Sequence, residues 1–461
     1  MGIPTMVMTR EGFKQVVGNA FSAIGFAAEG PVAHEWPFAL FAPGSDLTPI
    51  NENIDKIVYG LTKWEPEIKA VGVYAPEKVT VQGKDCQEAV ANMNNLFLRN
   101  MWSDGLPITP AIAEQVDWIL TGTDLPRDTV VGEGKFLPRG GITTAETLAV
   151  ALAMAGGRPE YLPVLLAAAD SIMDPNFDHA GWNATTSSTL PAVIVNGPIA
   201  KQIRLNSGYG LLGPNPMYPA NGPIGRAIRL IQQNVGGCVP GIGTMAIFGG
   251  MRFTNFVFAE DEEGLPTGWD PLSVERGFPQ SSNVLTVFPV SHLLNLDGGG
   301  GDEVEKTMLQ VAASIGYPAK NRRYGEVGRI PGIVLLPRGV AGWCVEYLGW
   351  SKLDTKRFLW ENSKIPFAKM EQYFTPEEIA ENIAQKDSGL VAGEPWPICV
   401  DPDDIVIALC GGAQSGHTNW MQVSWGKPLC SVSREIKYLP AKDKWDALLK
   451  QAEEDLGPIP V

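Results

Sequence analysis

Histidine and cysteine are scarce in this sequence of 461 residues, which contains four histidines and six cysteines. The histidines, at positions 34, 179, 292 and 417, never fall at the short spacing of paired metal ligands, so the sequence predicts no metal site. The cysteines, at positions 86, 238, 344, 399, 410 and 430, are far apart and form no CxxC pair. That pattern is typical of reduced thiols in the cytoplasm rather than of a disulfide framework.

Basic residues and long hydrophobic runs are also few. The chain has 36 lysines and arginines against 51 aspartates and glutamates, which gives a formal net charge of -15. This excess of acid argues against nucleic acids and anionic membrane surfaces as partners, because both are bound by lysine and arginine. The longest apolar window, residues 148–155, is far too short to span a bilayer, and residues 1–10 lack the features of a signal peptide. We therefore expect a cytoplasmic protein.

The residues that are present have an ordinary globular composition. Hydrophobic residues make up 44% of the chain and charged residues 19%, so a sizeable core can form. The 51 glycines and 37 prolines indicate many turns and functional loops rather than disorder, because the apolar content is normal. A chain of this length exceeds the size at which a single core stops growing, so two or three domains are expected.

Short apolar runs alternate with helical segments along most of the chain, which predicts an α/β, multi-domain fold. The predicted strands cover residues 2–9, 78–82, 192–195, 253–258, 284–289, 332–336 and 405–409. Three segments are expected: residues 1–103, a middle α/β domain at 104–330 that carries polar loops, and a C-terminal α/β module at 331–461. We expect the middle domain to pack against a smaller Rossmann-like module that is built near the two termini.

The first candidate site follows the predicted strand at 405–409. A loop that leaves the C-terminal end of such a strand is where open α/β sheets bind their ligands. Here it contains Cys410, Gly411, Gly412, Ser415 and His417. A thiol near an imidazole loses its proton more readily, so Cys410 and His417 are the candidate catalytic pair, with a cysteine pKa below its ordinary value. The glycines and the serine would bind substrate. The alternative is that Cys410 is simply a small buried hydrophobic residue.

The second candidate site is a set of amides, hydroxyls and one guanidinium in the loops of the middle segment. Such groups suit a small polar molecule that carries a carboxylate, which arginine binds bidentately. The alternative is turn chemistry, because asparagine, serine and threonine also cap helices and close turns. The predicted substrate-binding residues here are Asn183, Thr185, Thr186, Asn196, Asn206, Ser207, Tyr209 and Arg226, with Arg226 expected in the first turn of a helix.

Residues 2–11 and 426–435 share the pattern G-x-P-x5-R-E, with a hydroxyl residue before the arginine. This similarity suggests two related half-units. The second copy is preceded by its own strand and glycine-rich loop, whereas no such strand precedes the first copy. Because natural proteins cover apolar strand edges, two arrangements are expected for residues 2–9. Either they pair with strands at 405–409 and 429–433, or a second subunit supplies the missing strand.

Residues 2–13 resemble the second half of the UGSC family of (seleno)proteins, which is related to the selenoprotein B group of glycine reductase. Residues 104–110, 155–163 and 206–210 are similar to a large bacterial family that carries UGSC-like domains. The resemblance implies that the family's Cys- or selenocysteine-Gly-Ser-Cys loop would precede the segment matched here. The loop at Cys410 departs from that motif. The resemblance therefore favours a partner subunit that carries the redox residue.

The expected function is that of an enzyme, or one subunit of an enzyme, acting on a small polar, carboxylate-bearing organic molecule. The family resemblance implies a thiol- or selenol-dependent lyase or reductive cleavage. Two alternatives remain open from the residues: a thiol-independent hydro-lyase or hydrolase, and a non-catalytic substrate-binding subunit of a selenoprotein or thiol complex. The expected partners are a small-molecule substrate and a second subunit or a homo-oligomer, and the residues identify no organic cofactor.

Overall fold

The computed structural model describes residues 6–23, 25–26, 33–41, 44–65, 78–132, 135–249, 254–297, 300–316, 332–385, 388–413, 416–423 and 431–459. Its strands are β1 (Val7–Arg10), β2 (Ala33–Trp36), β3 (Leu190–Asn196), β4 (Val257–Ala259), β5 (Val284–Asp297), β6 (Gly332–Leu336), β7 (Ile405–Leu409), β8 (His417–Val423) and β9 (Val432–Glu435). Its α-helices are α1 (Lys14–Ala23), α2 (Thr48–Glu52), α3 (Ile54–Thr62), α4 (Cys86–Arg99), α5 (Ala113–Leu120), α6 (Ala145–Met154), α7 (Leu162–Ile172), α8 (His179–Ala184), α9 (Pro198–Gln202), α10 (Asn221–Asn234), α11 (Leu272–Glu275), α12 (Val304–Gly316), α13 (Arg338–Leu348), α14 (Lys352–Asn362), α15 (Phe367–Tyr373), α16 (Pro376–Ala384) and α17 (Lys442–Leu456).

The main sheet is mixed, with strand order β4-β3-β5-β8-β6-β7 and β9 added beside β5. The long strand β5 joins its two halves. The first half of β5 pairs antiparallel with β3 and β9, and its second half pairs antiparallel with β8. β3 and β4 run parallel, as do β6 and β7. Strands from the predicted segments 104–330 and 331–461 therefore share one sheet, so these two segments fold together.

Alternation along the strands divides the apolar side chains into three clusters. One cluster covers the β3–β5 half together with α6, α7 and α10, and a second covers the β6–β8 half together with α12, α13 and α14. The third cluster contains alternate residues from the six strands β4, β3, β5, β8, β6 and β7, among them Ile194, Phe288 and Ala408. The sheet thus curls around the third cluster. The curl brings the ends of the two edge strands, β4 and β7, together, and there the backbone N–H of Asp261 donates to the carbonyl of Leu409 at 2.8 Å.

Helices α6 and α7 form the most deeply buried layer. The side chain of Thr144 accepts from the N–H of Thr147 while Thr147 accepts from the N–H of Thr144, so α6 begins with a reciprocal cap. Ten of the eleven residues of α7 are buried. A helix that is apolar on all sides requires cover on all sides, and this pair supports the outer face of β3 and β5.

Residues 6–65, as far as they are described, form a small N-terminal module. Its strands β1 and β2 pair parallel, with Val7 opposite Ala33, and α1 makes the crossover between them. The predicted pairing of residues 2–9 with strands at 405–409 and 429–433 is wrong for the described residues, because β7 pairs with β6 and β9 pairs with β5. The physical reason is burial: β7 is fully apolar and fully buried, whereas β1 is largely half-exposed. Residues 2–5 and 429–430 lie outside the described residues.

The α/β fold class is confirmed, with two differences in detail. Residues 78–82 were predicted as a strand but form none, and Val79 there is 51% exposed. Conversely β8 was not predicted, although it lies between β5 and β6 in the sheet. Among the described residues, no helix combines the length and the apolar character needed to cross a membrane.

Candidate functional site

The ends of β4, β6 and β7 meet at one place on the surface of the main sheet. The N–H of Cys410, just after β7, donates to the carbonyl of Leu336 at the end of β6 (2.9 Å). The next N–H, that of Gly411, donates to the carbonyl of Ser207 at 2.8 Å. These bonds bring two of the predicted loops together, the one after β7 and the one at residues 206–210. We call the group formed by Ser207, Tyr209, Asp261, Arg338, Gly411 and Gly412 the strand-end site.

Glycine is required at two positions of this site. Gly411 and Gly412 have φ angles of +92° and +99°, a region that L-residues other than glycine rarely adopt. A Cβ atom on Gly412 would also lie only 3.0 Å from the ring of Tyr209. The side chain of Tyr209 is 56% exposed, so it covers the glycine loop from the solvent side. The loop therefore offers backbone groups and an aromatic hydroxyl close together.

The guanidinium in the strand-end site belongs to Arg338, which is not one of the predicted site residues. Arg338 is the first residue of α13, and its own N–H donates to the carbonyl of Gly412 at 3.1 Å. Its Nε and Nη2 donate to the two carboxylate oxygens of Asp261, the second at 2.7 Å. This paired carboxylate raises the pKa of Arg338 despite partial burial. One feature of the sequence could have indicated Arg338 as a site residue. It follows the predicted strand 332–336 after a single proline, just as the Cys410 loop follows the predicted strand 405–409.

Asp261 is only 8% exposed whereas Arg338 is 45% exposed. The buried carboxylate therefore orients the guanidinium, while nearly half of the arginine side chain remains open to solvent. Among the described residues, the hydrogen bonds of the guanidinium are those to Asp261, so Nη1 is available to a ligand. A fixed and partly open guanidinium is suited to bind a carboxylate.

The predicted low pKa of Cys410 is wrong. The thiol is 2% exposed, and burial, assisted by the charges of Glu260 and Asp261, raises the pKa of Cys410 well above its ordinary value. Its Sγ lies 3.8 Å from the carbonyl oxygen of Ala408. A thiol in these surroundings stays protonated, which is the buried hydrophobic role given above as the alternative.

His417 does not join Cys410. The strand registers place both residues at the same end of the sheet, but β6 lies between their strands, which separates them by about 10 Å. The His417 side chain is 63% exposed, and its Nδ1 lies 3.2 Å from Nδ2 of Asn295 and 3.8 Å from Asp297. An acid partner for this histidine therefore comes from β5, not from its own loop.

Arg226 is a structural clamp. It lies in the second turn of α10, not in the first, because that helix begins at Asn221. Its Nε and Nη2 bind both carboxylate oxygens of Asp104 at 2.9 Å, and Nη2 also donates to the carbonyls of Leu106 (3.1 Å) and Pro107 (2.8 Å). Because these acceptors occupy the fork, the geometry contradicts the predicted binding of a substrate anion by Arg226.

The side chains of three other predicted residues also serve the fold, in agreement with the turn-chemistry alternative. Asn183 bonds the carbonyl of Leu137 and the side chain of Gln232, and the hydroxyl of Thr185 accepts from the N–H of Ser187. The backbone carbonyl of Thr186 accepts from the N–H of Ile247, a bond that any residue could make, so the predicted role of its side chain stays a prediction. The side chain of Asn206 closes the turn to Tyr209. Ser415 lies outside the described residues.

Asn196 belongs to a buried ionic network behind the strand-end site. Its amide donates to Glu260 at 2.7 Å and to Glu262 at 2.8 Å. Glu260 also accepts from the N–H of Leu272 and lies 3.7 Å from the ammonium group of Lys352. Burial raises the pKa of Glu260, and Lys352 and the hydrogen bonds oppose this effect. The network ties β3, β4 and α14 together and so holds Asp261 in place.

Within the described residues, no group of three histidine, cysteine, aspartate or glutamate side chains is arranged to hold a metal ion. No protein-family model matches the chain, and no curated protein is significantly similar to it.

Proposed function

We propose that this chain is an enzyme, or the substrate-binding subunit of one, and that it takes a small carboxylate-bearing molecule at the strand-end site. The observation that carries this proposal is the half-open guanidinium of Arg338, which the buried carboxylate of Asp261 holds beside a glycine loop. Arg338 takes over the role that the sequence analysis assigned to Arg226. In a protein with a net charge of -15, such a fixed cation gives an anion a specific place to bind.

The surroundings of Arg338 add neutral groups that suit a polar substrate. The backbone of Gly412 accepts from the N–H of Arg338, and Ser207 and the exposed ring of Tyr209 contact the same glycine loop. A carboxylate bound by the guanidinium would place the rest of a small molecule against these hydroxyl and peptide groups. A binding site of this kind requires few charges, because Asp261 fixes the guanidinium and Nη1 is then presented to the ligand in one orientation.

The buried thiol affects the choice among reactions. A protonated, 2% exposed Cys410 supports the thiol-independent hydro-lyase or hydrolase, or the non-catalytic subunit, over a thiolate at Cys410. The thiol- or selenol-dependent lyase or reductive cleavage that the UGSC resemblance implies would need a reactive residue other than Cys410, and the resemblance assigns it to a partner subunit.

Arg338→Met and Arg338→Lys should both weaken carboxylate binding, because the first removes the charge and the second cannot hold Asp261 through two nitrogens while a third faces the ligand. We expect isothermal titration calorimetry with acetate, lactate, glycine and succinate to find at least one ligand, whose affinity falls about tenfold or more in both variants. The control is Arg357→Met, which changes an exposed arginine that pairs only loosely with Asp354 (3.8 Å). If none of these carboxylates binds, or if both Arg338 variants bind as the wild type does, the proposal fails.

We also propose that a second subunit, or a second copy of this chain, completes the N-terminal module. None of its described residues belongs to the three apolar clusters, and its buried hydrophobic residues are Val16 and Trp36, which are 7% and 5% exposed. Eight others are exposed: Met8, Phe38, Phe41, Leu47, Ile54, Val58, Tyr59 and Leu61. A two-stranded parallel sheet with so little core is marginal on its own, because parallel sheets normally have both faces covered.

Ile54, Val58 and Leu61 recur at helical spacing on α3 and form an exposed apolar stripe. Val58→Glu should therefore abolish assembly, whereas Lys56→Glu on the same helix should leave it intact. Size-exclusion chromatography with light scattering gives the mass of the purified chain and of any co-purified partner. A chain that stays monomeric at every concentration and brings down no second subunit would contradict this expectation.

A further inference from the structure

A second concave site lies apart from the strand-end site, beside α9 and α17. It is a cleft of about 420 Å³ between α9, α17 and the segment 159–161, and residues that line it include Glu160, Ile203, Arg204, Leu449, Glu453 and Ile459. Its size falls within the range of small-molecule sites. None of its lining residues belongs to the strand-end site, so the cleft requires a separate explanation.

We infer that this α9–α17 cleft binds a zwitterionic α-amino acid with an apolar side chain. The cation for the ligand carboxylate is Arg204. Among the described residues, Arg204 pairs with no carboxylate, and its Nη2 donates only to the carbonyl of Gly457. The neighbouring lysines of the cleft are engaged elsewhere, Lys201 with Glu263 at 2.9 Å and Lys450 near Glu454 at 3.8 Å.

The carboxylate for the ligand ammonium is Glu453, which is exposed and has no ion pair among the described residues. The other glutamate of the cleft, Glu160, is already paired with Arg158 at 2.6 Å and is only 2% exposed. One uncommitted cation and one uncommitted anion therefore line the same cleft. This is the charge pattern that complements a zwitterion rather than a simple anion.

The walls define the ligand's third feature. Ile203, Leu449, Leu456 and Ile459 contribute apolar surface to the cleft. Leu456 and Ile459 are 37% and 36% exposed, so an apolar ligand side chain would remove hydrophobic surface from water. Arg204 bonds the carbonyl of Gly457, and the N–H of Gly457 bonds the carbonyl of Glu453, so the two charged residues meet at one end of α17. Neighbouring opposite charges with an apolar wall beside them complement an amino acid such as leucine, whose ammonium and carboxylate share one carbon and whose side chain is apolar.

The test is isothermal titration calorimetry of the full chain with L-leucine. We expect binding that weakens about tenfold or more in Arg204→Met and in Glu453→Gln, while Arg357→Met on the surface of α14 binds as the wild type does. Glu453 is exposed, so its variant keeps the inference testable even if Arg204→Met does not fold. N-acetyl-leucine and leucinamide, which each lack one charge, should also bind at least tenfold more weakly.

The inference is overturned if L-leucine produces no binding heat at concentrations up to about 10 mM. It is also overturned if the two singly charged analogues bind as tightly as leucine, because the cleft would then be only an apolar surface. Unchanged affinity in the Glu453→Gln variant would remove the assigned ammonium partner and with it the zwitterion.

Discussion

Arg226→Met should destabilise the protein by about 3–5 kcal/mol, because it leaves the carboxylate of Asp104 buried without its charge partner. The side chain of Asp104 is 1% exposed and that of Arg226 is 16% exposed, so water cannot replace the guanidinium. Arg226→Lys should cost less, about 1–3 kcal/mol, since the charge is kept while the second carboxylate bond and the bonds to Leu106 and Pro107 are lost. Urea unfolding followed by circular dichroism measures both free energies.

The matched control for this prediction is Arg127→Met. Arg127 also bridges two acids, Asp117 and Glu146, but its side chain is 53% exposed, and such surface pairs contribute only about 0–1 kcal/mol. Equal losses of stability in the Arg226 and Arg127 variants would show that the clamp is not buried in solution. Weaker substrate binding by Arg226→Lys with unchanged stability would instead restore the sequence-based hypothesis.

Lys352→Met should also destabilise the protein by about 3–5 kcal/mol at neutral pH. Lys352 is 5% exposed and bridges two acids, Glu260 at 3.7 Å and Glu275 at 2.9 Å. Glu275 retains Lys356 at 2.9 Å, so the uncompensated charge in the variant falls on Glu260, whose side chain is fully buried. Lys306→Met, which breaks an exposed pair with Glu303, is the control and should leave the stability nearly unchanged.

The pH dependence of this variant has a definite sign. Burial raises the pKa of Glu260 in the folded protein above its ordinary value, so the folded state binds this proton more tightly than the unfolded state does. The tighter proton binding by folded Glu260 stabilises the protein at acidic pH, below the pKa of this group in the unfolded chain. That contribution is lost as the pH rises through the pKa of Glu260 in the folded protein. Without Lys352 to oppose it, the pKa of Glu260 rises further. The loss in Lys352→Met should therefore be smaller at pH 5 than at pH 7.

Adding Glu260→Gln to Lys352→Met should restore part of the stability at pH 7 and flatten its pH dependence, because no buried charge then remains to be neutralised. Urea unfolding at pH 5 and pH 7 gives two free energies of unfolding for each variant. A double variant that is as unstable as Lys352→Met alone would assign the loss to packing of the lysine chain rather than to the charge of Glu260.

Much of the fold could be predicted from local pattern. The runs 332–336 and 405–409 are strands with the predicted bounds, because a continuous apolar run between turn residues is stable only when both faces are buried. The strand His417–Val423 was missed because its polar residues, among them Asn419 and Gln422, resemble a loop. Its place between β5 and β6 supplies the hydrogen bonds that make it a strand. Residues 78–82 have a strand pattern, but no described neighbour pairs with them.

The sequence alone determined the α/β class, the buried strands and the loops in which glycine is required, because these depend on local periodicity and backbone freedom. Only the tertiary structure decided what the polar residues do. The type and spacing of Arg226, Cys410 and Arg338 cannot reveal whether an acid lies opposite, because Asp104 and Asp261 are 122 and 77 residues away along the chain. The long-range contacts engage Arg226, bury the thiol of Cys410 and leave Arg338 half open. Burial and charge pairing set reactivity, and both depend on the folded chain.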